Sequence, residues 1–518
     1  MAGPNDAADS SGTPNNLLVN SKNPPDSIFL NNEFVQGKGN VLPLFNPKDG
    51  SKIPIEVRAA SQEDVDTAVH NAREAFQTGP WSKWTGEQRS KALLKLADLI
   101  DENSQAIAYL ESICSGRPLA MILGEVPRVS STFRYYAGWA DKIKGDSYPG
   151  EDGFYKIVRK EPLGVCCGIT AWNASLMFCS WKSGPALAAG NTVIIKPSEK
   201  SFLGTLAIAA QVKAAGFPPG VFQVLIGDGN IGALLSSHMD IDKVSFTGST
   251  ATGRRIQEAA TKSNLKRVTL ELGGKGPALV FDDADLDKAL FWVTLGITVN
   301  TGQVCAATSR LLVQKSIADS FLDKVKAGLG AMSQALGGDP QDVSTHYGPV
   351  VDAQQFQKVT DYIQEGKKRT KVLTGGQKYE KKGYYIAPTV FLDPEPDEKI
   401  WTEEIFGPVL CVKTFETEEE AIKLANDTQY GLSSAIFTTN IARALRIASS
   451  VRTGTVNVNC NLMVGNQAPM GGFGYVQPKS FIQVSVEKAN RVRLSGVGRE
   501  LGEYGLAQYT ETKTIWVR

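Results

Sequence analysis

Gly164-Val165-Cys166-Cys167-Gly168-Ile169-Thr170 is a short apolar run with no polar alternation, the pattern of a strand buried on both faces. Thr192–Lys196, Val221–Ile226 and Val244–Phe246 share that character, and Pro185–Ala189, Leu203–Ala215 and Gly232–Ser237 between them carry helical patterns. Such alternation predicts an α/β fold built on an open parallel sheet with helices on both faces. It returns after residue 277, with Ala278–Phe281, a helix from 284, Arg310–Val313, a long helix from 316, Pro408–Thr414 and Ser434–Thr438, which implies a second α/β unit. Upstream, between about 62 and 144, Val65, Ala68, Val69, Ala72, Ala75 and Phe76 recur at turn spacing, as do Leu93, Leu94, Leu96, Ala97 and Ile100, so this region is expected to be helical. Residues 1–25 read as a disordered leader, since Met1 to Ser21 is rich in Asn, Asp, Ser and Pro.

A chain of 518 residues is too long for one core, so two or three domains are expected. A hydrophobic content of 42% with 21% charged residues is ordinary globular composition. The net charge of +1, with no dense basic stretch, gives no electrostatic reason to expect nucleic acid or an anionic membrane as partner. No apolar run is long enough to span a bilayer, and the first residues lack the pattern of a signal or transit peptide. Seven cysteines without metal-type spacing suit a reducing compartment, so the cytoplasm is the expected location and no metal site is expected.

Two segments carry chemistry. Glu271-Leu272-Gly273-Gly274-Lys275 sets a carboxylate among glycines, where backbone and ligand can approach closely, and Gly302-Gln303-Val304-Cys305 sets a thiol among small neighbours. A thiol nucleophile needs a base near it or near its water, and Glu with Cys can divide that work. The only histidines are His70, His238 and His346, none beside Cys305, which disfavours a Cys-His hydrolase.

Those two segments, in this order and spacing, resemble the active-site signatures of the NAD(P)-dependent aldehyde dehydrogenase superfamily. The similarity extends over Ile169-Thr170-Ala171-Trp172-Asn173, Lys196-Pro197-Ser198-Glu199, Phe246-Thr247-Gly248-Ser249, Glu403-Glu404-Ile405-Phe406-Gly407-Pro408 and Ser495-Gly496-Val497-Gly498-Arg499-Glu500. The resemblance implies a Rossmann-like cofactor domain (26–144 and 163–273), a second α/β catalytic domain (274–474) and a small β oligomerisation element (145–162 with 503–518). It implies NAD-dependent oxidation of an aldehyde to its acid by a homodimer or homotetramer. Cys305 would be the nucleophile and Glu271 the base for water, with the Asn173 amide and the Cys305 N–H receiving the oxyanion.

For the cofactor, the resemblance assigns Lys196 and Glu199 to the adenosine ribose, where a carboxylate opposes a 2′-phosphate and so favours NAD over NADP. Glu404 would hold the nicotinamide ribose, and Phe406 would pack near the nicotinamide ring. Ile169, Thr170, Trp172, Ser198, Leu272 and Gly273 complete the expected contacts. Gly227-Asp228-Gly229-Asn230-Ile231-Gly232 matches a dinucleotide fingerprint, yet no convincing acidic residue follows at the proper distance. By resemblance this loop, with Gly229, borders the adenine side. The pyrophosphate is expected nearer Phe246, Gly248 and Ser249, where a helix opens. Met177, Phe178, Trp181 and Val304 are the expected substrate-pocket residues.

The chain departs from the family pattern in three places. Ala174-Ser175 stands where an aromatic residue and then Pro are usual, and Val299 where an aromatic residue is frequent; both positions resemble tunnel walls in the family, so a roomier pocket is expected. Residues 475–493, Tyr475 to Arg493, have no counterpart. Two readings stand for them: a loop insertion near the substrate entrance, or a retained intron translated in frame, since codons for Gly474-Tyr475-Val476 and Ala489-Asn490 can resemble splice and branch signals. A displaced Glu500 would leave a catalytically impaired relative acting as a binding or structural protein, the competing expectation.

Overall fold

The computed structural model describes residues 27–473 and 494–518, apart from residues 335, 378 and 380. The expected leader and the segment 475–493 lie outside the described residues. The first sheet has eight strands, in the order Gly496–Val497, Arg267–Glu271, Lys243–Thr247, Val165–Ile169, Thr192–Lys196, Phe222–Val224, Ser27–Leu30, Glu33–Gln36. The five from Arg267–Glu271 to Phe222–Val224 are parallel, and antiparallel strands close both edges. Every residue of Val165–Ile169, Thr192–Lys196 and Lys243–Thr247 is buried, as strands covered on both faces require.

Helices Gln62–Gln77, Gly86–Glu102, Ser104–Ser115 and Leu119–Ala137 occupy the region expected to be helical. The first opens on a capping box, with Ser61 and Asp64 satisfying each other's backbone N–H groups. The helix expected at Pro185–Ala189 begins ten residues earlier, at Ser175, and Pro185 lies inside it. All its residues are buried, so it has no polar face and therefore no amphipathic period to read.

The second sheet has seven strands, in the order Lys371–Thr374, Thr389–Leu392, Val409–Phe415, Arg310–Gln314, Pro277–Val280, Ser433–Phe437, Thr455–Val458, with only the first antiparallel. Alternation divides its core between the two faces. Ala278, Val280, Leu311, Val313 and Phe437 pack into one cluster, and Leu279, Leu312, Cys411 and Ile436 into the other. Each Val, Leu, Ile or Phe side chain among them contributes about 1.5–3 kcal/mol on burial. A third sheet joins Asp146–Tyr148, Tyr155–Pro162 and Thr510–Val517, leaving Tyr148, Tyr155, Ile157 and Trp516 exposed.

One connection positions the site. Arg267–Glu271 ends the first sheet's parallel run and Pro277–Val280 starts the second sheet, so Leu272–Gly276 crosses between them. A Cβ on Gly274 would lie 2.2 Å from the Cys305 carbonyl oxygen, and one on Gly273 2.2 Å from Glu404 Oε2. At position 274 the near atom is backbone, so only glycine permits the approach there, whereas at 273 a side chain would push the Glu404 carboxylate aside.

Candidate active site

In the first sheet the chain runs outward from Val165–Ile169 through Thr192–Lys196 to Phe222–Val224, then returns to lay Lys243–Thr247 on the other side of Val165–Ile169. The strand order therefore reverses between Val165–Ile169 and Lys243–Thr247, and ligands of open α/β sheets bind outside the carboxyl ends at such a point. Ile169, Thr170 and Trp172 end or follow one flanking strand, and Phe246, Gly248 and Ser249 end or follow the other. Lys196 ends the next strand out, and its ammonium, almost fully buried, lies 3.7 Å from Glu199, whose carboxylate also accepts from Ser198 at 3.5 Å. Burial lowers the Lys196 pKa, against the pull of Glu199 and Asp228. Ser249 caps the helix Thr250–Lys262 by accepting from the Thr252 N–H at 3.2 Å. Gly229 is exposed at the start of the helix Gly229–Ser237, with open space where a Cβ would stand. The buried Thr170 hydroxyl has no partner within the protein. A helix N-terminus, a Lys–Glu pair and an orphaned hydroxyl at one crevice fit a dinucleotide with a free ribose diol.

Across the crevice, Glu404 Oε1 accepts from the Gly274 N–H at 2.9 Å, and the Phe406 ring meets Trp172 edge-on, with centroids 5.3 Å apart. Leu272 and Gly273 lie in the glycine crossing between these groups. Cys305 follows the turn Val299–Gly302, in which Asn300, Thr301 and Gly302 have φ of +49°, +55° and +71°. Left-handed residues without glycine's freedom cost about 1–3 kcal/mol each and persist only when over-determined. Here Asn300 Nδ2 donates to the Asn173 and Gln303 carbonyls at 3.1 and 3.2 Å, Thr301 donates to the Gly348 carbonyl at 2.7 Å, and Gln303 bridges Asn300 and Val351. Asn173 Nδ2 donates one hydrogen to the Gln303 carbonyl at 3.1 Å, which leaves its second for a ligand oxygen.

Burial, Glu404 and Glu271 push the Cys305 thiol up to about 12, against the N–H groups of Ala306 and Cys305 itself. Burial and Glu500 raise Glu271 well above the carboxylate range, opposed by Lys182, Arg499 and the Gly472 N–H. Burial thus disfavours the charged form of both the thiol and the base. Met177, Phe178 and Trp181 are buried on the helix Ser175–Ala189, the latter two edge-to-face at 5.5 Å; Val304 is half-buried beside Cys305. Ser175 is fully buried and donates to Glu111 at 2.7 Å, so its hydroxyl faces the interior, whereas Ala174 and Val299 stay part-exposed.

Sequence reasoning passes over Asn300 and Gln303, which shape the nucleophile turn, and over Lys182. The available signal is that Lys182 is the only charge between Ser175 and Ile195, and a charge in so apolar a run needs a partner. That partner is Glu500, reached with Ser245 and Thr247 at 3.2 and 2.8 Å from the same ammonium. The chain on either side of the undescribed segment meets at one seam: the Ser495 N–H donates to the Phe473 carbonyl at 3.3 Å, and Ser495 is pinned to Gly273 and Gly431. Among the described residues no group of three or more His, Cys, Asp or Glu is placed to hold a metal, and no helix is long and apolar enough to cross a membrane.

The aldehyde dehydrogenase family model matches residues 34–477. An aldehyde dehydrogenase of Davidiella tassiana is 46% identical over 497 residues, 95% of each chain. Human aldehyde dehydrogenase 1A1 is 44% identical over 516 residues, 98% of each chain. The NAD+ complex of a Bacillus cereus aldehyde dehydrogenase superposes with a TM-score of 0.88 at 39% identity, covering 95% of this chain and 96% of that one. With its sheets, crevice and glycine crossing as described, the chain belongs to the aldehyde dehydrogenase family.

Proposed function

We propose that the chain oxidises an aldehyde to its carboxylic acid with NAD, through a covalent adduct on Cys305. The observation that carries this reading is the meeting of Cys305, Glu271 and the spare Asn173 hydrogen around the glycine crossing. Cys305, its proton lost to solvent, reacts as the thiolate, and Sγ bonds to the carbonyl carbon to give a thiohemiacetal. Asn173 and the Cys305 N–H hold its oxyanion; one such donor is worth about 3 kcal/mol, or roughly a hundredfold in rate. Lys196, Glu199, Trp172, Glu404 and Phe406 would hold NAD, which when bound supplies the hydride acceptor that takes the adduct to a thioester. Glu271 then takes a proton from the attacking water, and Sγ leaves with its electron pair. Glu199 beside the buried Lys196 supports NAD over NADP by opposing a 2′-phosphate.

The exposed aromatic face and free edges of the third sheet support a homodimer or homotetramer. Seven free cysteines support a reducing, cytoplasmic setting. The impaired-relative reading draws on residues 475–493 alone, and the seating of Glu500 on Lys182 speaks against it. NADH formation by the purified chain across aliphatic, aromatic and amino-aldehydes, with NADP in parallel, is the test. Turnover that vanishes in Cys305→Ala is the expected result. No turnover with any aldehyde, before or after deletion of 475–493, would transfer the case to the binding-protein reading.

A further inference from the structure

Lys200 and Asp352 meet from opposite sides of the crevice. Lys200 follows Glu199 beyond the end of Thr192–Lys196 in the first sheet. Asp352 caps the helix Ala353–Gly366, whose Val359 and Ile363 pack into the core of the second sheet. The ammonium lies 2.6 Å from the carboxylate, with the two side chains 23% and 31% exposed. An ion pair in open solvent contributes little, because ordering two side chains offsets the attraction. Here Asp352 is already fixed by accepting from the Gln355 N–H at 2.8 Å, and the Lys200 ammonium stands 5.9 Å from the centre of the Trp172 ring. The contacts continue until they close on themselves. The Gln355 side chain donates to the Phe406 carbonyl at 2.7 Å and helps to hold Phe406 at its left-handed φ of +62°, and the Phe406 ring meets Trp172. Lys200, Asp352, Gln355, Phe406 and Trp172 thus form one closed ring of contacts with members from both sides.

Two members of that ring, Trp172 and Phe406, are residues assigned above to NAD. We propose that Lys200 is a positioning residue: its pair with Asp352 latches the two sides of the crevice and sets how long the dinucleotide stays bound. The latch rests on the NAD-dependent reading. A dinucleotide held between two sides leaves when they part, and parting them separates Lys200 from Asp352. Release of NADH belongs to every turnover of that reaction, so a slow release can limit the whole cycle. A direct role for Lys200, with its ammonium on the phosphates of the cofactor, makes the opposite demand on Asp352. The carboxylate would then compete for the ammonium, and neutralising Asp352 would tighten binding. In a latch, neutralising either partner loosens it.

The test uses the full chain loaded with NADH in stopped flow, with excess NAD chasing the bound NADH and the loss of its fluorescence giving the dissociation rate. Lys200→Gln removes the ammonium. Asp352→Asn removes the charge but keeps an oxygen for the Gln355 N–H, so the helix cap survives. Each variant is expected to release NADH about fivefold faster than the parent, and the double variant no faster than either single one. Lys200→Arg keeps both the pair and the cation over Trp172, and should release close to the parent rate. The cofactor-free unfolding temperature should stay at the parent value in all four, which separates a latch from general loosening. Release from Asp352→Asn at the parent rate or slower overturns the latch and leaves the parent reading standing. So does a double variant in which the two effects multiply. Wild-type protein that binds no NADH defeats the NAD-dependent reading instead, and the latch with it.

Discussion

At the residue scale, Glu271 serves two ends that conflict. As a base it must accept a proton from water, yet burial and Glu500 make its charged form costly. Its folded pKa is raised, so the fold keeps a proton that the unfolded chain releases. Stability therefore falls as pH climbs from the ordinary carboxylate range through the elevated value. Glu271→Gln removes that slope; calorimetry should find it unfolding hotter than the parent at about pH 8, with the two converging near pH 5. The same variant is expected to form the first NADH and then stall, with steady-state turnover down roughly 10²–10⁴-fold. Cys305, Glu271 and Asn173 are legible in the sequence because each sits in a local motif. Lys182 is not, because its partners Thr247 and Glu500 lie on distant segments that only the fold brings to it.

Among elements, the helix Ser175–Ala189 is the least legible and bears on most of the chemistry. Uniform burial erases its period, so its start and its lone charge go unread together. Its Lys182–Glu500 pair ties it to the C-terminal return of the chain. Lys182→Met strands a buried carboxylate and is expected to cost about 3–5 kcal/mol, seen as a lowered unfolding temperature; adding Glu500→Leu should restore much of it. A double variant no more stable than Lys182→Met would show that the pair is not what holds the two elements together. The turn Val299–Gly302 resists sequence reading for another reason. Its left-handed backbone is imposed by Asn173, Gly348 and Val351, which no local spacing reveals.

For the whole molecule, strand alternation announces two parallel sheets, but not the reversal of order that opens the crevice or the antiparallel strands that close the edges. Those depend on crossings between segments far apart in the chain. The seam at Phe473 and Ser495 is a property of this scale too, and from it deletion of residues 475–493 is expected to leave the fold and its unfolding temperature little changed. Insoluble protein from that deletion would mean that the segment itself supports the structure. The distribution of sulfur has a practical consequence. Cys114, Cys166, Cys167, Cys179 and Cys411 are sealed in the cores, while Cys305 and Cys460 are part-exposed. An electrophilic inhibitor or a mass-tagging reagent therefore meets two addressable sulfurs on each chain. With Cys460→Ser, covalent labelling would count competent sites one by one, turning the nucleophile into its own titrant.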